Sequence, residues 1–143
     1  KLFKKKFVFD VMSFSKKDVI RGLHLQLNKQ QGKYITILQG KVLDVALDLR
    51  KRSKTFGKVF KIVLSSDNNT SVYIPPGFAH GFCSLSNNSL MHYKCTNYRD
   101  KSSETGIIWN DKDLKIKWPT NNPIISKKDQ KLYNYKDFKK KYL

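Results

Sequence analysis

Short apolar runs, alternating or β-branched and bounded by Gly, Asn, Asp and Pro, recur along the chain, and helical periodicity is hard to find before the C-terminus. The runs are "KFVFDVMSF", "DVIRGLHLQ", "KYITILQ", "KVLDVALDLR", "GKVFKIVLS", "TSVYIP", "AHGFCSLS", "LMHYKCTNY" and "GIIWND", joined by turns such as "QGK", "SSDNN", "PPG" and "SNNS". So many short antiparallel candidates predict an all-β sandwich or jelly roll whose facing sheets can enclose a cavity. Strand alternation then assigns faces. Lys33, Ile35 and Ile37 share one side of their run, and Ile20, Gly22, His24 and Gln26 share one side of theirs. Tyr93 goes with Met91 and Cys95, whereas His92 points the other way with Lys94. Thus Lys33, His24 and Tyr93 all fall on apolar, inward faces, and Gln26, on the face of His24, is a candidate substrate contact. Regular alternation puts Arg21 opposite His24, so a bulge or a contact to a neighbouring subunit is needed to bring the two together. The closing "SKKDQKLYNYKDFKKKYL" changes to charges with spaced aromatics, which predicts a short helix or tail folded back over the sandwich.

With 143 residues, no internal repeat and no linker, the chain is expected to be a single domain over 1–143. Charge narrows the partners. A formal net charge of +18, from 29 Lys and Arg against 11 Asp and Glu, favours anions such as phosphate esters or nucleic acid. The "KKK" runs at 4–6 and 139–141 with interleaved Phe and Tyr keep a basic nucleic-acid-binding β-domain as an alternative, but no recognised DNA- or RNA-binding motif is present. Cys83 and Cys95 lie in apolar contexts without CxxC spacing, which predicts reduced core thiols and a cytoplasmic setting. The basic, partly apolar start is interrupted by Asp10 and lacks a small-residue cleavage site, and no run approaches a membrane span. Because it begins with Lys rather than Met, the chain is expected to lack a piece of its native N-terminus. The only histidines, His24, His80 and His92, lack H-x-H spacing, so no metal site is expected.

At "IRGLHLQ", "GKVLDVALDLRKRSKTFG", "YIPPGFAHGF", "YKCTNY", "GIIWND" and "WPTNNPIISKKD" the chain resembles the dTDP-4-dehydrorhamnose 3,5-epimerase family, from about Val19 to Asp129 with order and spacing kept. The resemblance implies a cupin-like jelly roll and a cofactor-free isomerase, a homodimer acting on a nucleotide-linked 4-keto-6-deoxy sugar with dTDP as the expected nucleotide. Protons at C3 and C5 of such a sugar are acidic because the C4 ketone can take the charge as an enolate. The site therefore needs a base, a stabiliser for the oxyanion and an acid on the opposite face. The resemblance assigns His24 as the base, a residue type whose ordinary pKa of about 6.5 suits proton abstraction near neutrality. It assigns Asp129 to hold and charge-stabilise the imidazole, Lys33 to face the ketone oxygen, and Tyr93 to act as acid. Arg21 is implied as a pyrophosphate ligand, and His80, Glu104 and Lys128 as substrate contacts.

Departures from the family pattern gather at the nucleotide end. An N-terminal segment with an acidic, Arg and Gly motif is expected to be missing. Phe9, Asp10 and Val11 stand where a Gln-x-Asn pattern makes amide contacts, and neither Phe9 nor Val11 can replace those hydrogen bonds. Arg99, next to Tyr98, aligns with a thymine-stacking Tyr, and a guanidinium plane can also stack on a base. The sugar end is intact, so reaction type is better specified than nucleotide or the number of inverted centres. A sugar-nucleotide-binding jelly roll without activity is the other alternative.

Overall fold

The computed structural model describes residues 6–143. Lys4 and Lys5 of the first "KKK" run lie outside the described residues. Ten strands, a 3₁₀ turn and one helix follow in order: β1 (Phe9–Lys16), β2 (Val19–Gln26), β3 (Lys33–Gln39), β4 (Lys41–Asp48), β5 (Val59–Ser65), β6 (Val72–Ile74), β7 (Phe78–Ser84), β8 (Asn88–Cys95), β9 (Glu104–Gly106), β10 (Ile124–Ile125), the turn Asp129–Lys131 and α1 (Tyr135–Tyr142).

The strands form two sheets, as the alternating runs predict. One is four-stranded, in the order β1-β8-β3-β6; the other is six-stranded, β10-β2-β7-β4-β5, with β9 paired to β2. Every pair is antiparallel except β10 with β2. Two apolar layers hold them. Between the sheets, Ile35, Ile37, Val42, Ala46, Leu64, Ile74, Phe82 and Met91 pack as one cluster. On the far side of the six-stranded sheet, Leu23, Leu25, Val45, Leu47 and Ala79 form a second, closed by Tyr135 and Phe138 of α1. Hence β4 is packed on both faces, and the folded-back C-terminal segment is a helix. Asn134 caps it, accepting a hydrogen bond from the Asp137 amide at 2.8 Å.

One expectation about faces is corrected. β2 pairs Ile20 with Cys83 and Arg21 with Phe82, but His24 with His80, so Gly22 and Leu23 together oppose Gly81. That extra residue is a β-bulge, and it shifts the parity of everything after it. The sequence alternation grouped Ile20 and Gly22 with His24 and Gln26. Instead, Arg21 joins His24 on the cavity side, while Leu23 and Leu25 turn to the outer cluster. Gly22 is required there: its φ is +109°, and a Cβ would lie 2.6 Å from Gly81 Cα and from the His80 carbonyl oxygen. The Gly22–Leu23 peptide is cis. Two further differences are local. The strand expected at "GIIWND" lies earlier, at Glu104–Gly106, with Ile107 in an isolated bridge to Tyr133. The two-residue β10 carries no readable alternation. No helix among the described residues is long and apolar enough to cross a membrane.

Candidate active site

The gap between the sheets opens into a cavity of about 710 Å³. Its walls come from both sheets: Phe9 and Val11 of β1, Lys33 of β3 and Tyr93 of β8 on one side, and Arg21, His24, Phe78, His80 and Phe82 of β2 and β7 on the other. The loop before and through the 3₁₀ turn adds Ser126, Lys128 and Asp129.

His24 is half-buried, and its Nε2 lies 2.7 Å from Asp129 Oδ1. The other carboxylate oxygen, Oδ2, accepts the Gly22 amide at 3.1 Å, while the Asp129 amide donates to Ser126 Oγ at 3.1 Å. Burial alone would raise the Asp129 pKa, but the hydrogen bond and charge of His24, with the Gly22 and Ser126 contacts, outweigh it and hold the group below its ordinary value. Asp129 is therefore an anion held at both carboxylate oxygens by β2. A second buried pair stands beside it: His80, the cross-strand partner of His24, places Nε2 2.7 Å from Asp44 Oδ2. Asp44 was missed at the level of sequence, although a carboxylate inside the apolar run "KVLDVAL" was its signal.

From the opposite wall, Lys33 Nζ lies 6.0 Å from the centre of the Tyr93 ring. Desolvation pushes the Lys33 ammonium below its ordinary value, partly offset by the carboxylates of Asp44 and Glu104. Burial also raises the Tyr93 phenol, which keeps it protonated. Cys95 is a buried free thiol between these strands, raised by desolvation.

At the mouth, Glu104 gathers the cations. Arg99 donates to its Oε2 from Nε at 3.0 Å and from Nη2 at 2.8 Å, and Lys128 Nζ donates to Oε1 at 2.7 Å. Burial would raise Glu104, but these two partners dominate and its pKa is lowered. Arg21 is anchored to β1, donating to Ser15 Oγ at 3.3 Å and to the Phe14 carbonyl at 3.2 Å. Gln26 also lines the cavity, yet its amide serves the neighbouring loop: Nε2 donates to the Lys29 and Tyr98 carbonyls, and Oε1 accepts from the Asp100 amide. Phe9 and Tyr98 rings lie 6.0 Å apart beside Arg99, so this end is aromatic and cationic. His92 faces away, with Nε2 3.8 Å from Asp10 Oδ2. Among the described residues no group of three or more His, Cys, Asp or Glu is placed to hold a metal ion.

An imidazole backed by a carboxylate thus faces a phenol and an ammonium across one cavity, a set suited to moving a proton next to a carbonyl. Comparison with known proteins points the same way. The family model for dTDP-4-dehydrorhamnose 3,5-epimerase matches residues 1–137. A curated enzyme of that name from Shigella flexneri is 49% identical over 127 residues, which is 88% of this chain and 70% of the relative. The crystal structure of a dTDP-4-dehydrorhamnose 3,5-epimerase from Elizabethkingia anophelis superposes with a TM-score of 0.91 at 44% identity, over 96% of this chain and 75% of that one. A Legionella pneumophila 3,5-epimerase crystallised with dTDP-4-keto-L-rhamnose superposes with a TM-score of 0.90 at 42% identity, covering 93% and 71%. A match over nearly the whole chain in both sequence and structure means that this chain belongs to the dTDP-4-dehydrorhamnose 3,5-epimerase family and is an isomerase of that class.

Proposed function

We propose that the chain epimerises a dTDP-linked 4-keto-6-deoxy sugar at C3, C5 or both, with His24 as base and Tyr93 as acid. The observation that carries this is the His24–Asp129 pair on one cavity wall facing Tyr93 and Lys33 on the other. His24 takes the proton from the carbon next to the ketone, and the electron pair moves onto the ketone oxygen. The Lys33 ammonium favours that enolate, while Asp129 stabilises the imidazolium that forms. Tyr93 returns a proton to the same carbon from the other side, which inverts it, and solvent restores both groups. Arg21, Arg99 and Lys128 supply positive charge for the diphosphate. Glu104 sets the positions of Arg99 and Lys128, and His80, held by Asp44, lies beside the reacting end. Gln26 acts through the loop it holds rather than by direct contact.

Proton NMR of dTDP-4-keto-6-deoxyglucose in D₂O tests this. Deuterium is expected at C3 and C5 with the wild type and is lost with His24→Ala, and label at a single carbon identifies a mono-epimerase. Tight binding without exchange at either carbon would make the cavity a binding site only.

The second copy expected of the family has a surface suited to it. Along β1, Asp10, Met12, Phe14 and Lys16 point outward, and Met12 (60%), Phe14 (54%) and Leu38 (50%) expose large apolar side chains on the outer side of the four-stranded sheet. We assign this face to the homodimer. Light scattering should then read a dimer for the wild type and a monomer for Phe14→Lys.

A further inference from the structure

We propose that Arg50 is a positioning residue for the reaction: clamped by Asp48, it fixes Phe78, the apolar wall beside His80. This rests on the epimerase reading of the cavity, although Arg50 lies outside that cavity.

Asp48 is fully buried and ends β4, where its cross-strand partner is Phe78. Its carboxylate accepts the Arg50 Nε at 2.9 Å and Nη2 at 2.7 Å, a planar two-point grip. Ser53 and Thr55 hydroxyls donate to the same Oδ2, at 2.6 and 2.7 Å, so the carboxylate cannot swing to follow another partner. The guanidinium held this way lies 4.6 Å from the centre of the Phe78 ring. Phe60 flanks the same ring, 6.2 Å away between centroids.

The path of the Arg50 stem explains an otherwise separate feature. Gly77 has φ +91°, and a Cβ there would lie 2.5 Å from Arg50 Cγ and 3.2 Å from Cδ. The Leu49 amide donates to the Gly77 carbonyl at 3.0 Å, tying the two loops together. Hence the "PPGF" turn is shaped to let Arg50 cross it and reach the far side of the ring. Phe78, His80 and Phe82 share the cavity face of β7, so a shift of the Phe78 ring moves the wall against which the sugar sits near His24 and His80.

A salt bridge that only stabilised the loop would act independently of Phe78, and a double-mutant cycle separates the two. Arg50→Lys keeps the charge but loses the planar fork, and Phe78→Leu removes the ring. Each is expected to lower kcat/KM by about tenfold, and the double variant to fall no further than either alone. Losses that multiply in the double variant, to about a hundredfold, would overturn the proposal, as would a loss that follows only the folded fraction read by circular dichroism. Should Arg50→Lys not fold, the neutral pair Asp48→Asn with Arg50→Gln replaces it in the same cycle, with the same two outcomes. Wild-type exchange in D₂O is run alongside. If it is absent, the epimerase reading fails by itself, and the cycle is read instead on the affinity for dTDP-glucose, where additive losses again overturn the role of Arg50.

Discussion

At the scale of single residues the cavity sets two opposite pressures on its acids and bases. Desolvation lowers Lys33 from 10.5 and raises Tyr93 from 10.0, so burial moves loss of the ammonium to lower pH and loss of the phenol proton to higher pH. An alkaline limb of the kcat/KM profile is accordingly expected from Lys33. Lys33→Arg should move that limb upward, since a guanidinium stays charged, whereas Tyr93→Phe should lower kcat without moving it. On the acid side the sign reverses. Asp129 is held below its ordinary 3.8, so the stability it contributes is complete above that value and is lost as the pH falls through its folded pKa. As the pH falls below about 4 the wild type should lose Tm more steeply than Asp129→Asn, which has no such proton to take up. At neutral pH the same variant should lower kcat on the order of 10³-fold, because the amide no longer stabilises a charged His24. A neutral-pH kcat near that of the wild type would remove Asp129 from the proton-transfer step.

At the scale of elements the decisive feature is the bulge in β2. It converts a separation of three residues between Arg21 and His24 into a shared face, and it depends on a backbone that only glycine tolerates at position 22. Gly22→Ala should destabilise by about 3 kcal/mol, through both the positive φ and the collision with the Gly81 backbone, measurable by urea unfolding. An unchanged midpoint would mean that the strand relaxes around the methyl group. Much of the rest could be read directly. The run "KYITILQ" is β3 to the residue, with its alternation intact as far as Ile37, and Lys33 and Tyr93 face inward as that alternation requires. The Arg21 and His24 relation was legible only as a conflict, since alternation forbade what the resemblance needed. Asp44 and Glu104 show the remaining limit: the charge at each is visible, but the partners His80, Arg99 and Lys128 are far away in the chain or on another loop. Only the folded sheet register brings them together.

At the scale of the whole molecule, the net charge of +18 must be reconciled with a site that holds only a few of those cations. Arg21, Lys33, Arg99 and Lys128 line the cavity, and two of them share the single negative charge of Glu104. Most of the positive charge therefore acts at a distance, as a field around the protein. A field of this kind draws in a diphosphate sugar but contributes little once the substrate is bound, because the chemical step depends on fixed groups in a partly desolvated pocket. The consequence separates two kinetic constants. Raising the salt from about 0.02 M to about 0.5 M should lower kcat/KM several-fold through slower encounter, while kcat stays within about twofold. The same titration addresses the nucleic-acid alternative, for which a single-stranded oligonucleotide should bind with a steep inverse dependence on salt and compete with the sugar nucleotide near physiological ionic strength. Here the oligonucleotide should compete only at low salt, since the cavity presents a closed wall rather than a track for a backbone. A salt-independent kcat/KM would confine the excess Lys to the solvated surface, with no part in capturing the substrate.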